Sequence, residues 1–244
     1  CPKDLKNAVF GVKSLGIKGL NVTMPHKNKV MNYLDGLDFT AESVGAVNTI
    51  LNNQGKLIGY NTDGKGAMIA LQENGVFLEK KKLVLLGAGG AAQAIAHQAA
   101  QDVDELVVLN RHPDKAKKLV NSLPKNLDSS IRSGPLSFKF QKQELETADI
   151  LINATCVGMH PDNESSPVSS GLLRSDLAVM DIIYNPLETK LLKDAKKVGA
   201  KVISGIEMPI YQGAVAFNIW TNCSAPVDVM RKAALNALKK RGSS

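Results

Sequence analysis

Few stretches restrict a fold as tightly as 83-LVLLGAGGAAQAIA-96. An apolar run of strand length passes directly into Gly87, and a small-residue helix opens at once, with Gly87, Gly89 and Ala92 spaced as G-x-G-x-x-A. In a strand–turn–helix context each small residue has its own task. The first glycine makes the tight turn, the second lets a pyrophosphate approach the backbone, and the third small residue lets the helix pack close to the strand. A glycine triplet alone is common, so the strand before it and the helix after it carry the inference of a dinucleotide-binding unit.

The next strand, ELVVLN, bears on which dinucleotide. An NAD site usually places an acid at the end of that strand to bond the ribose 2′-hydroxyl. Here the strand ends at Asn110, followed by Arg111, His112 and Lys115. An acid would repel a 2′-phosphate, whereas a guanidinium and an ammonium pair with it, so NADP is the expected cofactor. The alternative is that Arg111 and Lys115 are solvated positions at a helix start.

From Lys82 onward strands alternate with helices: KLVLLG, AGGAAQAIAHQAA, ELVVLN, HPDKAKKLV, then strands at ADILINAT, LAVMDIIY and AKVISG, with helical TKLLKDAKKV between the last two. That rhythm predicts an α/β unit with a Rossmann-like, doubly wound parallel sheet over residues 82–207. Residues 1–81 read as a separate α/β substrate domain. Leu5, Ala8, Val9, Val12 and Leu15 recur at helical spacing, IKGLNVTM reads as a strand, and 28–45 reads as one helix. VNTILNN and KLIGYNT flank Gln54-Gly55 as a hairpin, and Asp63-Gly64 leads into helical GAMIALQEN, closed by Gly75. The charged segment 79-EKKK-82 marks the domain boundary, and helices near 208–221 and 226–240 are expected to pack back on the first domain.

Composition narrows the class further. At 244 residues and 44% hydrophobic the chain can bury a sizeable core, and no apolar run approaches the ~20 residues of a membrane helix. With no signal-like segment at CPKDLKN, a soluble, cytoplasmic protein is expected. The net charge of +7 suits an anionic ligand, while scattered lysines and only 5% aromatics argue against a nucleic-acid surface. Cys1, Cys156 and Cys223 lack C-x-x-C spacing, so free thiols and no metal site are expected.

A nicotinamide enzyme also has to move a proton. Polar residues cluster at strand ends of the first domain: Asn21, Thr23 and Lys27 in NVTMPHK, Asn48 and Thr49 in GAVNT, Asn61 and Asp63 in GYNTDG. Taken singly, Lys27 could be solvent-facing, Asn48 a turn residue and Asp63 a helix cap. Three such clusters at neighbouring strand ends instead suggest a substrate pocket.

In order and spacing, NVTMPHK, GAVNTI, GYNTDG, GAGGAA, NRH-x-x-K, INATCVGM, DIIYNPLETKLL and G-x-x-M-x-x-x-Q resemble the shikimate dehydrogenase family over essentially the whole chain. The resemblance implies reversible, NADPH-dependent reduction of 3-dehydroshikimate to shikimate in aromatic amino-acid biosynthesis, by a monomer or homodimer whose partners are these small molecules. It implies Lys27 and Asp63 as the catalytic pair, and Asn21, Thr23, Asn48 and Gln212 as substrate contacts, with Tyr184 close to the reacting pair. It also implies Gly87, Ala88, Gly89, Gly90, Ala91, Asn110, Arg111, His112 and Lys115 around the cofactor, and Ile182, Gly205 and Met208 near the nicotinamide. An ammonium can both stabilise a developing alkoxide and donate to it, and the sequence leaves open which of Lys27 and Asp63 carries the proton.

The chain departs from the family pattern at His112, where a threonine is usual. It also lacks the family's opening strand and H-S-L-S-P block, whose serines bind the substrate carboxylate, so the substrate domain is expected to be incomplete at its N-terminus. Two alternatives follow, an NAD-using quinate/shikimate dehydrogenase and a non-catalytic dinucleotide-binding remnant.

Overall fold

A computed structural model describes residues 2–242, built around two sheets. Cys1 lies outside the described residues; Cys156 and Cys223 are free and exposed. The larger sheet contains β5 (Lys82–Leu86), β6 (Glu105–Asn110), β7 (Ser130–Pro135), β8 (Ile150–Asn153), β9 (Ala178–Asp181) and β10 (Lys201–Ile203). Their spatial order is β10-β9-β8-β5-β6-β7, every pair parallel. The chain starts in the middle at β5, winds out to one edge, then returns to build the other. This is the doubly wound dinucleotide-binding order, with its switch point between β5 and β8.

Alternate residues of these strands feed opposite cores, as the two-residue period of a strand requires. Leu83, Leu85, Leu106 and Val108 join α4 (Gly90–Ala99) and α5 (Pro113–Ser122) on one face. Val84, Leu86, Val107 and Leu109 join α6 (Phe138–Leu145) and α7 (Lys190–Lys197) on the other. Burial on both faces explains why these strands read as near-continuous apolar runs.

The smaller sheet, in the order β1-β3-β4-β2, holds β1 (Gly19–Asn21), β2 (Gly36–Leu37), β3 (Thr49–Asn53) and β4 (Lys56–Tyr60). β3 and β4 form the expected hairpin about Gln54 and Gly55, both at positive φ. The tight primed turn this creates matches the twist of the flanking strands. α1 (Leu5–Ser14) covers the sheet with Val9 and Val12.

Two local expectations change. Residues 28–45 are not one helix: a short 3-10 turn at Lys29–Tyr33 leads into β2, and α2 (Phe39–Val44) begins only after Asp38. Asp38 accepts from the Thr40 N–H and caps α2, and Gly45 closes it in the left-handed region, so the local caps override the helical periodicity. The strand expected over IKGLNVTM is also shorter, ending at Asn21; Val22 to Asn28 form a loop.

Between the two sheets lies α3 (Asp63–Glu73), flanked by α4 on one side and α8 (Glu207–Thr221) on the other. Its Ala67, Met68, Ala70 and Leu71 share one core with β5 and α4. α8 reaches the smaller sheet, where the Trp220 indole donates to the Ile50 carbonyl at 2.9 Å. α9 (Val227–Gly242) packs on α8 through Arg231, which bonds Glu207 and Tyr211. Among the described residues no helix is long and apolar enough to cross a membrane.

Candidate active site

A cleft of about 380 Å³ opens between the two sheets, lined by Asn21, Val22, Thr23, Lys27, Asn48, Asp63, Ala91, Ile182, Tyr184, Met208, Pro209 and Gln212. Each wall follows from a local feature of the chain. The loop after β1 brings Thr23 and Lys27, the residue just before β3 is Asn48, and the start of α3 brings Asp63. Across the cleft, Ala91 comes from the first turn of α4, Ile182 and Tyr184 from the loop after β9, and Met208 and Gln212 from the start of α8.

Within it, Lys27 Nζ donates to Asp63 Oδ2 at 2.5 Å. Asn48, only 2% exposed, donates from Nδ2 to Asp63 Oδ1 at 2.8 Å, to Thr62 Oγ1 at 3.0 Å and to Gln212 Oε1 at 3.1 Å. Its own Oδ1 accepts from the Thr62 N–H at 2.9 Å and from the Thr49 hydroxyl at 3.0 Å. The amide orientation is therefore fixed by an obligate backbone donor on one side, leaving Nδ2 for the carboxylate. Asp63 is gripped at both oxygens, by a cation and by a buried amide. Asn21 supports this from beneath, its Nδ2 donating to the Asn48 carbonyl and to Thr49 Oγ1.

The remaining residues singled out in the sequence lie along the strand ends of the larger sheet. Gly87 has φ +110°, and a Cβ there would fall 2.7 Å from the Ala154 carbonyl oxygen, so only glycine fits. Gly89 and Gly90 face open space, and the first turn of α4 has no side-chain cap. These residues can cradle a phosphate on free N–H groups at a helix N-terminus. Asn110 ends β6 and donates to the His112 carbonyl at 3.0 Å, which turns the backbone so that Arg111, His112 and Lys115 are exposed. Gly205 is buried beside the β9 backbone and does not line the cleft. Fit to a dinucleotide is good: an open glycine edge, two exposed cations beyond the second strand, and an apolar wall of Ile182 and Met208.

Sequence reasoning missed Thr62, Val22 and Pro209. Thr62 is the middle residue of the NTD stretch and bonds both Asn48 and Gln212, with its hydroxyl 3.2 Å from Gln212 Oε1. Its β-branched side chain reads as an ordinary strand end. Among the described residues no group of three or more His, Cys, Asp or Glu side chains could hold a metal.

Three family profiles match in chain order: the shikimate dehydrogenase substrate binding domain at residues 1–50, shikimate / quinate 5-dehydrogenase at 69–182, and the shikimate 5'-dehydrogenase C-terminal domain at 205–235. The shikimate dehydrogenase (NADP(+)) of Methanocaldococcus jannaschii is 47% identical over 240 residues, covering 98% of this chain and 84% of the relative. The chain belongs to the shikimate dehydrogenase family. Among solved structures, a shikimate dehydrogenase in complex with NADP+ matches with a TM-score of 0.86 at 44% identity, over 97% of this chain and 82% of that one. The shikimate 5-dehydrogenase of Listeria monocytogenes, in complex with shikimate and NAD, matches with a TM-score of 0.90 at 40% identity, over 95% of this chain and 82% of that one. These structures thus share the overall fold of this chain.

Proposed function

We propose that Lys27 and Asp63 are the proton-handling pair of an NADP-dependent oxidoreductase that interconverts 3-dehydroshikimate and shikimate. The contact of 2.5 Å between them, in a cleft walled by residues of both sheets, is the observation that carries this reading. Residues 1–81 with the helices from 208 onward form the substrate-holding unit, and residues 82–207 the cofactor unit.

When bound, NADPH would supply the hydride for the ketone carbon. The Lys27 ammonium, held at the cleft by Asp63, faces the developing alkoxide and donates the proton that completes the hydroxyl; in reverse it takes that proton back. Asp63 keeps the ammonium aimed, and Asn48 keeps Asp63 aimed. Asn21, Thr23, Asn48 and Gln212 offer donors and acceptors for the hydroxyls of a polyhydroxylated ring, and Tyr184, 47% exposed, presents its phenol from the opposite wall. Ala88, Ala91 and the glycines at 87, 89 and 90 receive the pyrophosphate. Arg111 and Lys115 pair with the 2′-phosphate while Asn110 and His112 shape the loop that holds it. Ile182 and Met208 form the seat of the nicotinamide, and Gly205 packs against the backbone of residues 181–183 behind it. The partners this calls for are small molecules, and the cytoplasm is where such a reductase meets them.

The test is shikimate-dependent reduction of NADP+, followed by absorbance, with NAD+ and quinate in parallel. Turnover with shikimate and NADP+ exceeding that of every other combination is the expected result. Preference for NAD+ would move the chain to the quinate/shikimate type, and nucleotide binding without turnover would make it a non-catalytic relative.

A further inference from the structure

Asn61 stands beside the cleft without lining it. The residue is 5% exposed, and its side chain links two pieces of backbone. Oδ1 accepts from the Asp63 N–H at 3.1 Å, and Nδ2 donates to the Ala46 carbonyl at 3.0 Å. One partner can only donate and the other can only accept, so a single orientation of the amide satisfies both. The Asn61 N–H is held in turn by Thr40 Oγ1 at 3.1 Å.

The far end of this link leads to Lys27. The peptide group joining Ala46 to Val47 accepts from Asn61 at its carbonyl, and on its other side the Val47 N–H donates to the Lys27 carbonyl at 2.8 Å. Two amides in series, one from a side chain and one from the backbone, therefore span from the main chain of Asp63 to that of Lys27. Asn28 adds a second clasp to the same strip, its Nδ2 donating to the Gly45 carbonyl at 2.7 Å. Residues 45–47 thus act as a common ledge. The loop carrying Lys27 is bonded to it directly, and the start of α3 carrying Asp63 is bonded to it through Asn61.

Asn48 also reaches the start of α3, bonding the Asp63 carboxylate and the Thr62 N–H, but it lines the cleft itself. Asn61 instead holds the main chain from which the Asp63 carboxylate projects. With both backbones tied to one ledge, the two side chains have a fixed gap to close, and they close it in the 2.5 Å contact. The link calls for an amide of this length. Aspartate would set an oxygen against the Ala46 carbonyl, and serine can accept from the Asp63 N–H but is too short to bridge to Ala46.

We infer that Asn61 is a positioning residue for proton transfer: from behind the cleft it sets the separation of Lys27 and Asp63. This inference rests on the reading of that pair given above.

The experiment compares Asn61→Ala and Asn61→Ser with the wild type in steady-state turnover of shikimate and NADP+, each change made also in an Asp63→Asn background. In the single variants kcat is expected to fall about tenfold or more, the scale on which small displacements of reacting groups are felt, while KM for shikimate and Kd for NADPH stay within about twofold. With the carboxylate gone there is nothing left to aim, so the same changes in the Asp63→Asn background are expected to cost less than about twofold. Losses of equal size in both backgrounds, a rise in KM without a fall in kcat, or unchanged turnover would overturn the positioning role.

Asn61→Ser keeps an acceptor for the Asp63 N–H, so it is expected to hold a Tm near that of the wild type and stands in should circular dichroism show Asn61→Ala unfolded. Wild-type kcat in Asn61→Ser would assign the effect to the helix start and overturn the bridge to Ala46. Crystal structures give a readout independent of turnover. The contact between Lys27 Nζ and Asp63 Oδ2 is expected to open beyond about 3.5 Å in Asn61→Ser, and a contact kept at its wild-type length would overturn the inference. Wild-type turnover in Asp63→Asn alone would instead overturn the reading of the pair.

Discussion

The backbone nitrogen of Gln212 lies so near Gly66 that a Cβ built on the glycine would fall 2.6 Å from it. α3 and α8 therefore meet backbone to backbone at this point. Asp63 stands at the start of one helix and Gln212 in the first turns of the other, so the approach sets the distance across which Asn48 bonds both side chains.

Gly66→Ala has nowhere to put its methyl group unless the two helices part. Overpacking of this kind costs about 1–3 kcal/mol of stability, and displacement of positioned groups by about 1 Å can cost about a hundredfold in rate. We expect a folded variant whose kcat/KM for shikimate falls at least tenfold while its NADPH affinity stays near wild type. Steady-state kinetics beside a thermal melt will check this; unchanged kinetics would show that the close approach serves packing alone.

Arg111→Ala is expected to weaken NADPH far more than NADH. A charge-assisted guanidinium–phosphate contact contributes about 1.5–3 kcal/mol, and only NADPH carries the 2′-phosphate. Titration of both nucleotides into both proteins gives the comparison. Equal weakening would remove Arg111 from the phosphate site.

Glu144 offers a stability test remote from the cleft. It is buried in α6, bonded to Arg132 at 2.5 Å and within 3.0 Å of Lys82. Burial by itself pushes its carboxyl up, but the hydrogen bonds and charges of Arg132 and Lys82 together outweigh burial and hold it below the usual carboxylate range. A folded-state value below the unfolded one makes the contribution fully present above the unfolded pKa of about 4.3 and lost as pH falls through the folded value. Glu144→Gln should therefore cost roughly 3 kcal/mol near neutral pH, because Lys82 is left buried with weaker compensation. The gap to wild type should narrow in acid. Chemical denaturation at pH 7 and at successively lower pH checks the sign, and a gap that widens in acid would contradict it.

Where the chain obeys one local rule, the sequence was readable. The apolar strands of the large sheet are buried on both faces, and the Gln54-Gly55 turn forces a hairpin, so both could be inferred from residue type and spacing alone. Residues 28–45 misled because Asp38 and Gly45 each satisfy backbone groups locally and cut a helical periodicity into pieces. Ser130–Pro135 and Phe138–Leu145 carry little signal for a different reason: β7 is an edge strand with a single neighbour, and α6 buries Gln141 and Glu144 through bonds to distant partners. In the cleft, Lys27 and Asp63 stood out only as members of polar clusters at strand ends, and their pairing came from the family resemblance. The role of Asn48 as the hub among Thr62, Asp63 and Gln212 depends on a contact with a residue 164 positions away, which no local pattern encodes.

Turnover of Lys27→Ala, Asp63→Asn and the double variant, with NADPH affinity measured on each, tests the Lys27–Asp63 pair. Each single change is expected to cut kcat for shikimate by about a hundredfold or more while leaving cofactor affinity near wild type, since both side chains lie away from the glycine turn after β5 and from the loop after β6. The double variant should lose less than the product of the two single losses, because groups acting as one unit are not additive. Wild-type turnover in either single variant, with the parent protein active, would contradict the pairing.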